Sequence, residues 1–424
     1  MLLRLRRRRH GAIVSVWTRL LDCSIMPRRW PKKLKEVVPR RLREFFIGET
    51  GRGYCEAPSE FTAGNRLDLL IDGAQAYPAM LETIAGAKTR VDLESYILNS
   101  DRTGWRFAEA LAERARAGVS VRVIYDSVGS HELTSSYLQF LRNAGIQTLE
   151  YHPVAPWQRR WGWVRRDHRK ILVVDGRVGF TGGINISDEN APLSEGGGGW
   201  RDTHVRIEGP AARELERLFR STWQRETGRA YPFEAEAPSS PGNSLVRVVA
   251  NEEFLHRHRI RSAYLHALNK AERCIYLANA YFVPDRGIRR ALYRAVRRGV
   301  DVRVLVPSIS DVPAAAYASR RLFELHLDAG VRLFAWPGPM LHAKIAVVDG
   351  TWGVVGSYNG DSRSMIHNLE ANIHVVDKEF CSRLELSVVG DMDRSQEIVP
   401  PRWRMRPYSE RFLERLFYLL RYWL

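Results

Sequence analysis

Cysteine is scarce in this chain. Its four cysteines, Cys23, Cys55, Cys274 and Cys381, are scattered over 424 residues, and no CxxC pair or Cys/His zinc spacing connects them. That argues against a disulfide framework or a zinc module and fits free thiols in a reducing compartment. Long apolar runs are missing too: none approaches the roughly 18–20 residues that a membrane-spanning helix needs. The candidate nearest the N-terminus, GAIVSVW at 11–17, gives way to Thr18 and Arg19. Behind the basic LRLRRRRH it has the outline of a secretory leader, but CSIMPRRWPKK follows and offers no small-residue cleavage site. The segment reads instead as a membrane-surface tail, or as a start placed upstream of Met26. The body of the chain also lacks net charge. Residues 1–43 carry 14 Lys/Arg against 2 Asp/Glu, and residues 401–424 carry 6 Arg against 2 Glu, so of the overall +17 only +1 remains for 44–400. An enzyme that grips duplex nucleic acid spreads basic charge over its body. Basic ends on a neutral body suit docking on an anionic lipid surface instead.

What the chain does have is a repeat. DHRKILVVDGRVGFTGGIN at 167–185 and LHAKIAVVDGTWGVVGSYN at 341–359 share His-x-Lys, an Asp five residues after the Lys, then Gly, then Asn. The longer context repeats as well. RVDLESYILNSDRTGWRFAEALAERARAGVSVRVIYDS (90–127) matches CIYLANAYFVPDRGIRRALYRAVRRGVDVRVLVPS (274–308) in form. Each reads as a β-rich run, an amphipathic helix closed by Gly118 or Gly299, and an apolar strand, which is a βαβ unit with parallel strands. A second helix ending in Ala-Gly and a further strand lead into the His-x-Lys string. The Pro/Ser/Gly-rich YPFEAEAPSSPGNS at 231–244 reads as the connector between copies. A helix is expected over 209–228 and its partner over 377–392, with GGGG at 196–199 a loop insertion. The organisation predicted is a basic tail (1–60), a first lobe (61–235), a second lobe (236–400) and a C-terminal amphipathic helix (401–424). On that helix Phe412, Leu413, Leu416, Phe417, Leu420 and Trp423 fall on one face, with Arg411, Glu414, Arg415 and Arg421 off it. This pattern suits an interfacial membrane helix.

The string carries chemistry. On a strand, residues two apart share a face, so His168 and Lys170 point the same way, as do His342 and Lys344. Asp175-Gly176 and Asp349-Gly350 read as hairpin turns. Asn185 and Asn359 each lie 17 residues beyond their His. A pseudo-two-fold axis would bring both strings into one site with two imidazoles, two ammonium groups and two amide donors. Lysine supplies charge to a phosphate and asparagine supplies donors to its oxygens. One imidazole can then attack phosphorus while the other protonates the leaving oxygen. No carboxylate cluster or metal-ligand spacing accompanies the strings, so a site without metal or cofactor is expected. An imidazole nucleophile needs its second nitrogen held in one tautomer. Glu370, 28 residues after His342, and Asp202, 34 after His168, are placed to orient one histidine each. Asp175 and Asp349 sit an odd number of residues from their histidines, and are expected to fix the turn or pair with a distant cation. HRHR at 256–259 reads as surface. PWQRRWGWVRR at 156–166 interleaves Trp with Arg and is expected to wall the site.

These residues resemble the phospholipase D superfamily, whose signature HxKxxxxD occurs once per lobe. HRKILVVD and HAKIAVVD match it throughout, and the resemblance runs from about residue 62 to 395. GGIN, WRDTHVRIEGP and MLHAKIAVVDG followed by VGSYN and NLEAN are most similar to bacterial cardiolipin synthases, in the shorter type without transmembrane helices. The resemblance implies an α/β fold of two pseudo-two-fold-related lobes. Each lobe would be a mixed, mostly parallel sheet flanked by helices, with one active site shared at their interface. It implies phosphatidyl transfer through a phosphohistidine, with His168 the nucleophile by family custom and His342 the acid/base. It also sets Lys170, Lys344, Asp175 and Asp349 among the catalytic residues. The acceptor would be the glycerol hydroxyl of phosphatidylglycerol, and the donor phosphatidylglycerol or phosphatidylethanolamine. A peripheral position on the cytoplasmic side of the bacterial inner membrane follows, with no nucleic acid and no metal as partners. Hydrolysis to phosphatidic acid, or nuclease chemistry on the same histidines, are the alternatives.

Overall fold

The computed structural model describes residues 52–155, 157, 164–231, 239–251 and 258–422, which belong to one compact unit, Thr50–Leu424. The expectations for the basic tail at 1–43, the Trp/Arg loop at 158–163, the middle of the 231–244 connector and the first half of HRHR lie outside the described residues.

The first lobe runs β1 (Thr62–Ile71), α1 (Asp72–Ala85), β2 (Arg90–Ser95), α2 (Arg102–Arg116), β3 (Ser120–Asp126), α3 (Ser135–Asn143), β4 (Gln147–Tyr151), β5 (Ile171–Val174), β6 (Val178–Gly182), β7 (Thr203–Glu208) and α4 (Pro210–Thr227). The second runs β8 (Ser244–Asn251), α5 (Arg259–Lys270), β9 (Cys274–Asn279), α6 (Arg286–Arg297), β10 (Asp301–Pro307), α7 (Pro313–Asp328), β11 (Arg332–Trp336), β12 (Lys344–Val348), β13 (Trp352–Gly356), α8 (Ser362–Ile366), β14 (Glu370–Val376), α9 (Lys378–Asp393) and β15 (Gln396–Ile398). Helices α10 (Pro400–Arg404) and α11 (Tyr408–Leu419) follow.

The matched helices form for matched reasons. Asp101 caps α2 by accepting from the Gly104 amide, and Asp285 caps α6 by accepting from that of Gly287. Just beyond their C-termini Gly118 and Gly299 take φ of +89° and +88°, the left-handed conformation that glycine adopts without strain. The fifteen strands among the described residues join one sheet, ordered β4-β3-β2-β5-β6-β7-β1-β8-β14-β13-β12-β9-β10-β11-β15. Outward from the central β1–β8 pair the two halves repeat the same order of elements, and β15 adds an extra edge. The lobes are therefore related by a pseudo-two-fold axis and are not separate bodies.

The sheet is mixed, but its balance differs from the expected one. Parallel ladders join only β2-β3-β4 and β9-β10-β11, where helices cross over, and the other ladders are antiparallel. The reason lies in the His-x-Lys strings. Each folds as a hairpin, β5-β6 or β12-β13, inserted between the βαβ unit and the centre. One core spans the axis: Val205, Ile207 and Leu215 from the first lobe pack with Ile345, Val347, Ile373 and Leu384 from the second. Burial of each such side chain contributes about 1.5–3 kcal/mol. Residues 54–60, assigned to the tail in the sequence reading, make contacts with the second lobe. Cys55 joins its core, the Tyr54 hydroxyl donates to Asp349 at 2.6 Å, and Glu60 pairs with Arg247 at 2.5 Å.

Candidate active site

Each His-x-Lys lies at the mouth of its hairpin. His168 and Lys170 immediately precede β5, and His342 precedes β12, whose first residue is Lys344. The backbone before each histidine pairs across the axis with the other lobe. The His168 amide donates to the Leu369 carbonyl at 3.0 Å and the Leu369 amide to Arg166 at 2.9 Å. Likewise the His342 amide donates to Arg201 at 2.8 Å and the Arg201 amide to Met340 at 2.9 Å. The residues following Leu369 and Arg201 are Glu370 and Asp202. Each carboxylate is thereby delivered to the histidine of the opposite repeat: His168 Nδ1 to Glu370 at 3.1 Å, and His342 Nδ1 to Asp202 at 2.7 Å. His168 Nδ1 also faces the Ser357 carbonyl at 3.1 Å. These partners accept, so both Nδ1 atoms carry hydrogen and both Nε2 atoms are left for chemistry.

All four motif side chains are buried, as are both acids. Lys170 Nζ donates to the His168 carbonyl at 2.8 Å, and Lys344 Nζ donates in the same way to that of His342. Burial, reinforced by Lys344, lowers the Lys170 ammonium to about 7, and burial lowers Lys344 to about 8. Burial, with both lysines close by, holds His168 well below its ordinary value. His342 is lowered by burial and Lys344, with Asp202 pulling the other way.

The two acids differ. Burial raises Glu370 to about 7, despite a 2.5 Å hydrogen bond from the Ser357 hydroxyl. Burial also presses Asp202 upward, but Lys344 and His342 outweigh it and hold it below the usual carboxylate range. The site is thus symmetric in backbone and asymmetric in charge: His342 rests on an ionised partner, His168 on one poised near neutrality.

Both histidines, Asn185 and Asn359 line one cleft of about 450 Å³. Asn185 Nδ2 is buried without a protein partner, an amide donor with capacity for a ligand oxygen. Sequence reasoning missed the aromatic frame. Tyr96 meets the His168 ring edge-on at 4.8 Å and lies 5.1 Å from Lys170 Nζ, and Trp200 sits 5.3 Å from the His342 ring. Tyr281 of the second repeat, at the place that Ile97 takes in the first, lines the cleft as well.

Asp175 and Asp349, grouped with the catalytic residues by the signature, are put elsewhere. They occupy the hairpin turns at φ of +53°, each followed by a positive-φ glycine, as a type I′ turn requires. The Asp175 carboxylate accepts from the amides of Lys88, Thr89 and Arg90, and that of Asp349 from the amides of Glu272, Arg273 and Cys274. Of the two sequence expectations this is turn fixing. The partners are backbone amides rather than a cation, and they tie each hairpin to the start of the adjacent parallel strand.

Comparison with known proteins agrees with this geometry. The family described as cardiolipin synthase, PLD-like domain, matches residues 80–223 and 264–388, one stretch around each histidine. A cardiolipin synthase of Geobacillus sp. (strain WCH70) is 34% identical over 83% of this chain and 71% of its own length. Cardiolipin synthase A of Pseudomonas entomophila (strain L48) is 36% identical over 79% of this chain and 70% of its own. The fold is also that of a phosphatidylserine synthase crystal structure from Haemophilus influenzae Rd KW20, with a TM-score of 0.64 at 12% identity over 89% of this chain and all of the other. With the signature duplicated, the family match divided between the lobes and relatives this similar over most of both chains, the protein belongs to the cardiolipin synthase, phospholipase D-like family.

Proposed function

We propose that the chain is a cardiolipin synthase that transfers a phosphatidyl group to the glycerol hydroxyl of phosphatidylglycerol through a phosphohistidine. One observation carries this reading: imidazoles from both repeats, each oriented by the other repeat's carboxylate, line a single cleft. His168 Nε2 attacks the phosphorus of phosphatidylglycerol or phosphatidylethanolamine. The P–N bond forms as the P–O bond breaks, and His342 gives its Nε2 proton to the departing alcohol. The incoming hydroxyl then returns a proton to His342 as the P–O bond re-forms and the P–N bond breaks. The charge asymmetry supports this division of labour. The lower proton affinity of His168 keeps it a neutral nucleophile, while ionised Asp202 stabilises the imidazolium that His342 must form. Lys170, Lys344, Asn185 and Asn359 hold the non-bridging oxygens.

Among the described residues no helix is long and apolar enough to cross a membrane. Docking through α11 fits a lipid substrate, since Tyr408, Phe412, Leu416, Leu419 and Leu420 all expose large apolar surface. A peripheral place on the cytoplasmic face of the inner membrane follows from this reading.

The test is mass spectrometry of lipids after incubating purified protein with phosphatidylglycerol vesicles. The wild type is expected to yield a four-chain product and free glycerol. His168→Ala and His342→Ala are each expected to lose at least about 10³-fold in rate while melting like the wild type. Phosphatidic acid as the main product would make the protein a hydrolase, and full turnover in either variant would refute the shared site.

A further inference from the structure

We propose that Arg421 binds the phosphodiester of the second, acceptor lipid and so selects a phospholipid over other alcohols as acceptor. This rests on the transferase reading above. The family match ends at residue 388, so α11 and the turn after it lie beyond the matched stretch. They nevertheless reach the active-site cleft. On one side of α11, Phe417 and Tyr418 pack against Val283, Ala318 and Leu322, and Phe417 stacks on Tyr317 at 5.7 Å. Val283 and Ala318 also line the cleft, so the helix is braced against its wall. Past the end of α11 at Leu419 the chain turns, and Arg421 joins the lining of the same cleft as His168 and His342.

The guanidinium is preorganised. It donates to the Tyr418 carbonyl at 2.9 Å and to the Tyr422 hydroxyl at 3.1 Å, and stands 4.4 Å from both tyrosine rings. These contacts use part of its five N–H donors and none of its charge. Among the described residues no carboxylate pairs with it. Asp311, in the same cleft, already accepts the Tyr281 hydroxyl at 2.6 Å. A fixed, unneutralised guanidinium fork suits a phosphodiester, which it can engage with two parallel hydrogen bonds.

Transfer to a phospholipid sets a demand that hydrolysis does not. While the buried lysines and asparagines hold the reacting phosphate, the acceptor brings a second one, separated from its attacking hydroxyl by the length of a glycerol. That phosphate needs its own cation in the same cleft, on the side from which lipid arrives. Leu419, Leu420 and Tyr422 beside Arg421 are exposed, which sets this cation at the border between cleft and apolar surface, where headgroup phosphates lie.

The experiment uses one reaction with competing acceptors. Full-length protein is given phosphatidylglycerol vesicles containing a fixed concentration of ethanol, and the four-chain product is measured against phosphatidylethanol. Both products draw on the same phosphohistidine, so their ratio is independent of donor binding, vesicle affinity and the fraction folded. Arg421→Gln is expected to lower the ratio about tenfold, the loss of one charge-assisted contact, and Arg421→Lys to restore part of it. Arg415→Gln removes the same charge from the exposed side of α11 and is expected to leave the ratio unchanged. An unchanged ratio in Arg421→Gln, or an equal fall in Arg415→Gln, overturns the proposal. A wild type that makes phosphatidylethanol but no four-chain product overturns the cardiolipin synthase reading, and this proposal with it.

Discussion

At the scale of residues, the site divides its roles through protonation. Glu370, raised to about 7, is neutral below that pH and ionised above it, so its support for His168 is gained as pH rises. Lys170 and Lys344, lowered to about 7 and 8, lose charge over the range just above. The pH profile of kcat/KM, which reports the unliganded protein, is therefore expected to be a narrow bell peaking between about 7 and 8. A bound phosphodiester raises both lysines, so the basic limb of kcat should lie at higher pH. Glu370→Gln should remove the acid limb, and a limb unchanged in that variant would assign it to another group. Asp175→Ala separates holding from chemistry. It strips the acceptor from three exposed or half-buried amides and is expected to cost about 1–3 kcal/mol of stability, read as a lower melting temperature, with kcat retained by the folded protein. The reacting residues were legible because they are polar, repeated and equally spaced. Tyr96 and Trp200 were not, because a single aromatic beside a strand reads the same whether it packs a core or frames a cleft.

At the scale of elements, what matters is that each lobe serves the other. The parallel bridges Asp167–Leu369 and Arg201–Leu341 carry a carboxylate from one repeat to the histidine of the other. Spacing within one repeat showed that an acid was available but not which histidine it would reach, since that depends on backbone pairing across the axis. The position ahead of each Ile/Tyr-Asn pair tunes the two acids. Ser357 donates to Glu370, whereas a Cβ at Gly183 would lie 2.2 Å from Asp202 Oδ1. Gly183→Ser is accordingly expected to push Asp202 off His342 and lower kcat about 10²-fold, with little change in KM. Normal kcat in that variant would show that the contact yields without cost. Helices and βαβ units were readable from period and capping. The predominance of antiparallel ladders was not, because the hairpin turns at Asp175-Gly176 and Asp349-Gly350 do not tell where each hairpin inserts, which is between the βαβ unit and the centre of the sheet. The C-terminal stripe was read as one face and is two. Phe417 docks on α7, Phe412, Leu416 and Leu420 stay exposed, and Glu414, expected on the polar side, is buried against Arg406 at 2.8 Å. Trp423 lies outside the described residues.

At the scale of the whole molecule, a near-neutral body with an apolar helix beside its cleft is built to work at a surface. Phe412→Asp combined with Leu416→Asp removes two large apolar side chains and is expected to weaken binding to phosphatidylglycerol vesicles roughly 100-fold. Turnover of a short-chain, monomeric phospholipid should persist. Equal loss of both would place the helix in folding rather than docking. The duplication itself was plain in the sequence, and a shared site followed from it. Which histidine takes the phosphorus did not, because two matching strings carry no polarity, and the assignment to His168 proposed above rests on the unlike charge of Glu370 and Asp202. The most direct measurement is therefore to trap the intermediate. Full-length wild-type protein is mixed with phosphatidylglycerol, quenched at alkaline pH within the first turnovers, digested and read by mass spectrometry. The account predicts a phosphatidyl group on His168 and none in His168→Ala. A label on His342 in the His168→Ala variant, or one on neither histidine while turnover continues, would contradict it.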